Sequence, residues 1–317
     1  MLSSGDMGSR RRAESVANTI ALGGEKIAAA RLSVFSNTFL VALKLTVGLT
    51  IGSVAVISEA VHSATDLIAA LIAYYAVRAS TAPPDENHPY GHGKVESVSS
   101  MAEALLVVAA GVYIVVEAIQ ALQHDQHKPA LGWGIAVMAL SAIVNTVVAR
   151  RLFAVARRAD STALEADAHH LSIDVWTSVG VVIGLGLVSM TGWRWLDPLV
   201  GIAVAVFIFL TGWQIARGAL LPLLDVRLPE HELQAIIAVL DDDARILGWH
   251  KLRTRKSGSQ RHIDVHIQVD DGLSLRDAHE LTEELEDQMR DTLPNVEVMI
   301  HTEPFEEEQR HHEETPH

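Results

Sequence analysis

The chain contains no cysteine. That excludes disulfides and thiolate metal sites, so any site for a borderline metal has to be built from histidine and carboxylates. Charge is scarce as well: Asp, Glu, Lys and Arg make up 20% of the 317 residues, against 49% hydrophobic. No basic excess exists, since the net charge is −14, and an acidic surface repels the phosphates of a nucleic acid. The N-terminal "MLSSGDMGSRRRAES" lacks the apolar core of a secretory signal and reads as a flexible arm over residues 1–25. The metalloprotease signature H-E-x-x-H is missing too: "HELQA" and "HELTE" both lack the second histidine. The chain therefore reads as a non-enzyme.

What is present is a set of long apolar runs. Six of them, over about 27–51, 53–79, 96–122, 130–156, 166–191 and 196–220, are long enough to cross a bilayer. They predict an all-α transmembrane domain over 26–225. From Val226 onward 22 acidic residues face 10 basic ones, so 12 of the 14 net negative charges sit in the last 92 residues. That part reads as a separate soluble domain over 226–304. Its pattern is helix in "EHELQAIIAVLDD", strands in "ILGWHKLRTRKSG" and "QRHIDVHIQVDD", an amphipathic helix in "LSLRDAHELTEELEDQMRDTL" and a last strand in "NVEVMIHTEP". The order αββαβ predicts a small two-layer α+β fold. Residues 305–317, "FEEEQRHHEETPH", read as a disordered acidic tail. Arginines and lysines cluster at one set of span ends, Arg10 to Arg12, Lys26, Arg78, Lys94, Arg150, Arg151, Arg157, Arg158, Arg217 and Arg227, with only Lys128 and Arg194 opposite. The positive-inside rule then puts both termini in the cytoplasm.

Inside the second run lies "EAVHSATD", with His62 and Asp66 four residues apart and Glu59 three before the histidine. The fifth run repeats the pattern in "DAHHLSID", with His170, Asp174 and Asp167. Side chains four apart share a helical face. An aspartate near mid-membrane costs roughly 2.5 to 3.5 kcal/mol. One such pair is accounted for by a hydrogen bond across a helix bundle; two matched pairs point further. If the helices meet, two imidazoles and two carboxylates suit tetrahedral zinc, whereas hard cations want six or more oxygens and Cu(I) wants sulfur. His169 points away, and Glu59 and Asp167 fall nearly a turn off as outer hydrogen-bond acceptors or steps on the ion's path. Protons compete with metal for these lone pairs, so a site exposed in turn to neutral and acidic compartments exchanges one for the other. That is antiport; a metal-gated channel or a sensor is the competing reading.

Six spans, the paired His/Asp motifs, the loop "DENHPYGHGKVES" and the soluble tail domain together resemble the cation diffusion facilitators, and most closely the bacterial zinc/proton antiporters. The resemblance runs from about Ala29 to Pro304. It implies a homodimer in the bacterial inner membrane that expels divalent metal by alternating access, with a ferredoxin-like cytoplasmic domain. It places the transport site on His62, Asp66, His170 and Asp174, with His62 in the zinc-selective form. Iron, cobalt, nickel, cadmium and manganese remain competing cargoes, manganese being least suited to so few oxygens. A loop site falls on Asp85, His88 and His92, and an interlocking ion pair on Lys94 and Asp225. A zinc site of the cytoplasmic domain falls on His250, His266, His279, His301 and Glu303. There the chain departs from the family pattern, with Glu303 in place of Asp and Thr302 in place of an amide. His262 and Asp264 alternate in phase with His266 and read as exposed polar residues.

Overall fold

The structure, a computed structural model, describes residues 4–123, 133–193 and 195–306. Leu22–Leu220 forms one compact unit and the residues on either side of it the other. Six long helices follow one another: α1 (Ser4–Ile51), α2 (Val54–Ser80), α3 (Lys94–Gln123), α4 (Trp133–Ala159), α5 (Thr162–Thr191) and α6 (Leu196–Leu223). Among the described residues five helices, all but α5, are long and apolar enough to cross a membrane. The first half of α5 concentrates three acids, Glu165, Asp167 and Asp174, in an otherwise apolar helix. The stretch expected to be a flexible arm, 1–25, is helical from Ser4 onward, as an extension of α1. Most of the expected acidic tail, 307–317, lies outside the described residues.

Local chemistry sets the helix ends. Ser53 and Ser161 lie in extended backbone before α2 and α5, and their hydroxyls accept from the amides of Val56 and Leu164, each at 3.4 Å. Gly192 stops α5 at φ 73°, a left-handed conformation that glycine tolerates without a Cβ penalty, and donates to Val188 O at 2.9 Å. Arg157 and Arg158 close α4, where positive charge suits the carbonyl end of a helix.

The helices pack through small side chains. Ala29, Ala30, Ala149, Ala156, Ala159, Ala163 and Ala168 are buried around Leu152, Leu164 and Leu171, so α1, α4 and α5 approach closely. At Gly180 an added Cβ would stand 2.6 Å from Val204 Cγ2, which leaves only glycine room between α5 and α6. Meanwhile Phe35, Val61, Leu105, Ile143, Val147 and Met190 are exposed, the reverse of a water-soluble bundle and the expected dressing for lipid.

One buried carboxylate ties four helices together. Glu96, in the first turn of α3, is fully buried and pairs with Lys26 of α1. It also accepts from Ser80 of α2 at 2.6 Å and from Ser161, the cap of α5, at 2.5 Å. This is the structural reason for the glutamate in "HPYGHGKVES": it fixes that end of the bundle.

In the other unit, α7 (Glu230–Asp242), β1 (Gly248–Ser257), β2 (Gln260–Val269), α8 (Leu275–Thr292) and β3 (Val296–Pro304) give the expected αββαβ order. The sheet has the order β1-β2-β3, with β1 antiparallel and β3 parallel to β2. Ile263, Val265, Ile267 and Val269 of β2 alternate onto a core shared with Ile236 and Leu240 of α7 and Leu281, Leu285 and Met289 of α8. The opposite face of β2 carries His262, Asp264, His266 and Gln268.

Truncating Glu96 leaves Lys26 charged and buried without its partner, a change that costs about 3–5 kcal/mol. We expect Glu96→Ala to lower the apparent Tm of the purified protein sharply, while Glu86→Ala, on the exposed loop, leaves it unchanged.

Candidate metal centres

Among the described residues three groups of histidine and carboxylate have ligand atoms all within 4.8 Å of one another: His62, Asp66 and Asp174; Asp85, His88 and His92; and His250, His266 and Glu303.

The first lies between α2 and α5. His62 Nε2 stands 3.9 Å from Asp174 Oδ1, and His170 Nε2 stands 3.3 Å from Asp66 Oδ1. Each imidazole thus faces a carboxylate of the other helix; His62, Asp66 and Asp174 form one group, and His170 stands outside it, joined through Asp66. Asp174 Oδ2 and His170 Nδ1 are buried with no hydrogen-bond partner, which leaves coordinating capacity unused. Exposure falls along α2: the side chains of Glu59 and His62 are 39% and 52% exposed, that of Asp66 only 6%. Within the group the exposed side chain is His62, nearer the α1–α2 loop, and the buried one is Asp66, nearer the Lys94 end of α3.

Of the two flanking acids, Glu59 pairs with Lys44 at 3.2 Å, and Lys44 also donates to Ser63 at 2.8 Å. Asp167 is buried one turn before His170 beside Ser33, with neither carboxylate oxygen in a hydrogen bond of ordinary geometry. Sequence spacing missed Lys44. A lysine in an apolar run, like the paired acids, was the signal that could have found it. Glu103 of α3 was missed for the same reason; it is fully buried, and its charge acts on Asp167 and His170.

The second group is on the loop between α2 and α3. Asp85 Oδ1 accepts from the amides of Asn87 at 2.9 Å and His88 at 2.7 Å, an Asx-type turn that holds the carboxylate in place. His88 Nδ1 stands 3.1 Å from the same oxygen and His92 Nε2 3.2 Å from Oδ2. The amide of His88, above all, holds the Asp85 carboxyl below its ordinary range, so it is a ready anionic ligand.

The third group is made by strand register. His250, His266 and His301 are direct cross-strand partners on β1, β2 and β3, and their rings stack laterally at 5.2 and 4.6 Å. Between His250 and Arg253 the β1–β2 register shifts, and Lys251 takes φ 52°. A bulge with a non-glycine residue in the left-handed region is strained and re-aims the strand. Glu303, two residues after His301 on the same face, reaches His266 Nδ1 at 2.6 Å, His250 Nε2 at 3.3 Å and His301 Nε2 at 3.6 Å. Two imidazoles and a carboxylate within 4.8 Å fit three of the four positions of tetrahedral zinc.

Two residues fall elsewhere. His279 lies exposed on α8, its Nε2 3.9 Å from Glu283, outside the cluster. His262 is buried rather than exposed and sits 3.3 Å from Glu297 on β3; residues of both flanking strands lie beside it, which alternation within β2 alone does not reveal. Asp264 is exposed as expected. Lys94 opens α3 in one unit; Asp225 belongs to the other, where it stands 3.9 Å from Arg255.

Comparison with known proteins gives a consistent picture. Residues 30–224 match a family described as the cation efflux transmembrane domain, and residues 228–305 one described as the cytoplasmic domain of cation efflux proteins. A Synechocystis protein named only as a transporter is 35% identical over 257 residues, covering 81% of this chain and 83% of its own length. The cation-efflux pump FieF of Serratia proteamaculans is 34% identical over 255 residues, covering 80% of this chain and 84% of its own. Among solved structures, the metal-bound C-terminal domain of the CzcD transporter from Thermotoga maritima is 34% identical, covering 24% of this chain and 94% of its own, with a TM-score of 0.23. The zinc form of the putative zinc transporter CzrB is 32% identical, covering 25% and 90%, with a TM-score of 0.24.

Burial pushes the Glu303 carboxyl up, but the hydrogen bond to His266 and the charges of His250, His266 and His301 outweigh it and hold it below its ordinary range. A depressed carboxyl stabilises the fold above its unfolded value, about 4.3, and the contribution disappears as pH falls through the folded value. Hydrogen exchange of the β2 and β3 amides in the metal-free protein should therefore show Glu303→Gln less protected than the parent at pH 7. The difference should close only below about pH 4.

Proposed function

The chain belongs to the cation diffusion facilitator family, and on that premise we propose that it expels divalent metal, zinc first, from the cytoplasm in exchange for protons. Six membrane spans carry the transport unit, with both termini and the αββαβ domain in the cytoplasm, and two copies of the chain form the working dimer. The observation that carries this reading is the meeting of His62, Asp66 and Asp174 between α2 and α5, with His170 beside Asp66 and ligand atoms unused.

The four side chains supply two neutral imidazoles and two carboxylates, a zinc donor set with no backbone cage. Binding requires the imidazoles neutral and the aspartates ionised, so the same lone pairs take either metal or protons. Opening toward the α1–α2 loop, the side assigned to the exterior, lets protons displace the cargo; opening at the other end reloads it. The loop group at Asp85, His88 and His92 and the sheet group at His250, His266 and Glu303 hold zinc outside the bilayer, in positions suited to capture or sensing.

Zinc flux in proteoliposomes tests the reading. Imposing an acidic gradient on the α1–α2 loop side should drive zinc toward that side, and collapsing the gradient should stop it. Uptake indifferent to the gradient counts against antiport and favours a channel. His62→Ala and Asp174→Ala should each abolish transport while the protein still elutes as a folded dimer; full activity in either removes that residue from the site.

A further inference from the structure

Beside the tetrad, and outside it, lies a second set of buried acids. Glu103 of α3 is 0% exposed and Asp167 of α5 is 1% exposed. None of their four carboxylate oxygens has a hydrogen-bond partner. Asp167 and His170 act electrostatically on Glu103, and His170 and Asp66 on Asp167; His170 Nδ1 is buried and likewise unpartnered. Beside Asp167 lies the buried hydroxyl of Ser33 on α1, the one polar group that approaches it, though not in a hydrogen bond of ordinary geometry. The buried lysines of this unit are engaged elsewhere, Lys26 by Glu96 and Lys44 by Glu59 and Ser63.

Ionised carboxylates in a low-dielectric interior are tolerated only when paired or when they hold a cation. Here the side chains present supply neither lysine nor arginine. The pair is also well placed: at 1.5 Å rise per residue, Asp167 is about 4.5 Å along α5 from His170, and Glu103 is about 10 Å along α3 from the Glu96 junction. Both lie between that junction and the tetrad, on the side of the buried Asp66.

We propose that Glu103 and Asp167 form a second binding station for the divalent metal cargo, with Ser33 completing an oxygen donor set, between the Lys94 end of the bundle and the tetrad. This rests on the transport reading for its role but not for its binding. An all-oxygen set holds zinc or cobalt less tightly than one with two imidazoles, which suits a step that passes the ion on to His170 and its partners.

Equilibrium dialysis of the full-length protein with cobalt(II) tests it. In a chain carrying His62→Ala, His88→Ala and His266→Ala, which weaken the three groups described above, one weakly held cobalt per chain should remain. Glu103→Gln and, separately, Asp167→Asn should each remove it. Both substitutions keep side-chain shape and discharge a buried group, and two independent variants guard against one that fails to fold. Cobalt retained in both variants, as it would be if the two acids hold protons, overturns the inference, and so does a triple-substituted chain that binds none. In the otherwise parental chain Glu103→Gln should raise the KM for zinc flux about tenfold, the loss expected for roughly 1.4 kcal/mol of binding. A parental chain that moves no metal defeats the transport reading and leaves the dialysis result to decide the station.

Discussion

Charge buried among apolar helices has to be matched by opposite charge, and the transport unit is organised by how each of its buried ions meets that demand. Glu96 meets it with Lys26 and two hydroxyls, and in doing so locks α1, α2, α3 and α5 at one end. Lys44 meets it with Glu59 and Ser63. These pairs are closed: each ion's partner is a neighbouring side chain, so they contribute shape and not exchange. The tetrad is different in kind. Its two aspartates face imidazoles, which are neutral when ready to bind metal, so an opposite charge has to come from outside the protein.

The other unit reaches a similar donor set by another route. No helix face and no deep burial are needed, because direct cross-strand pairing alone brings three histidines abreast on β1, β2 and β3. Antiparallel and parallel pairing meet on β2, and the bulge at Lys251 sets the register that puts His250 opposite His266. A one-residue slip would send every second side chain to the hydrophobic face. The core residues Ile263, Val265 and Ile267 therefore fix the metal-binding face as firmly as the histidines themselves.

Much of this was legible in the sequence, and the parts that were not share a cause. Helical spacing placed His62 with Asp66 and His170 with Asp174, and alternation placed the strands, because both depend on neighbours within one element. Lys44, Glu103 and the role of Glu96 depend on which helices touch, and spacing within a run carries no such information. His262 failed similarly: its own strand presents it outward, and neighbours on the flanking strands, Arg255 of β1 and Glu297 of β3, lie beside it where it is buried. His279 was assigned from the resemblance alone, and within one chain it stands apart from the other four residues.

The two principal centres differ in what keeps their carboxylates charged, and this bears on coupling. In the metal-free protein the hydrogen bond to His266 and the charges of the histidines around it outweigh burial and hold the Glu303 carboxyl below its ordinary range. Asp66 and Asp174 instead face the two imidazoles proposed to bind the cargo, with the charge of Lys44 acting on Asp174 as well. With one divalent metal, or with two protons, the proposed transport site carries no net charge; empty, it carries two negative charges. Each uncompensated aspartate near mid-membrane costs roughly 2.5–3.5 kcal/mol. At about 1.4 kcal/mol per tenfold in rate, an empty site would change its exposure at least a thousandfold more slowly than a loaded one. On the proposed transport reading, metal leaving on one side is then replaced by protons before the site turns, and exchange needs no separate gate to enforce it.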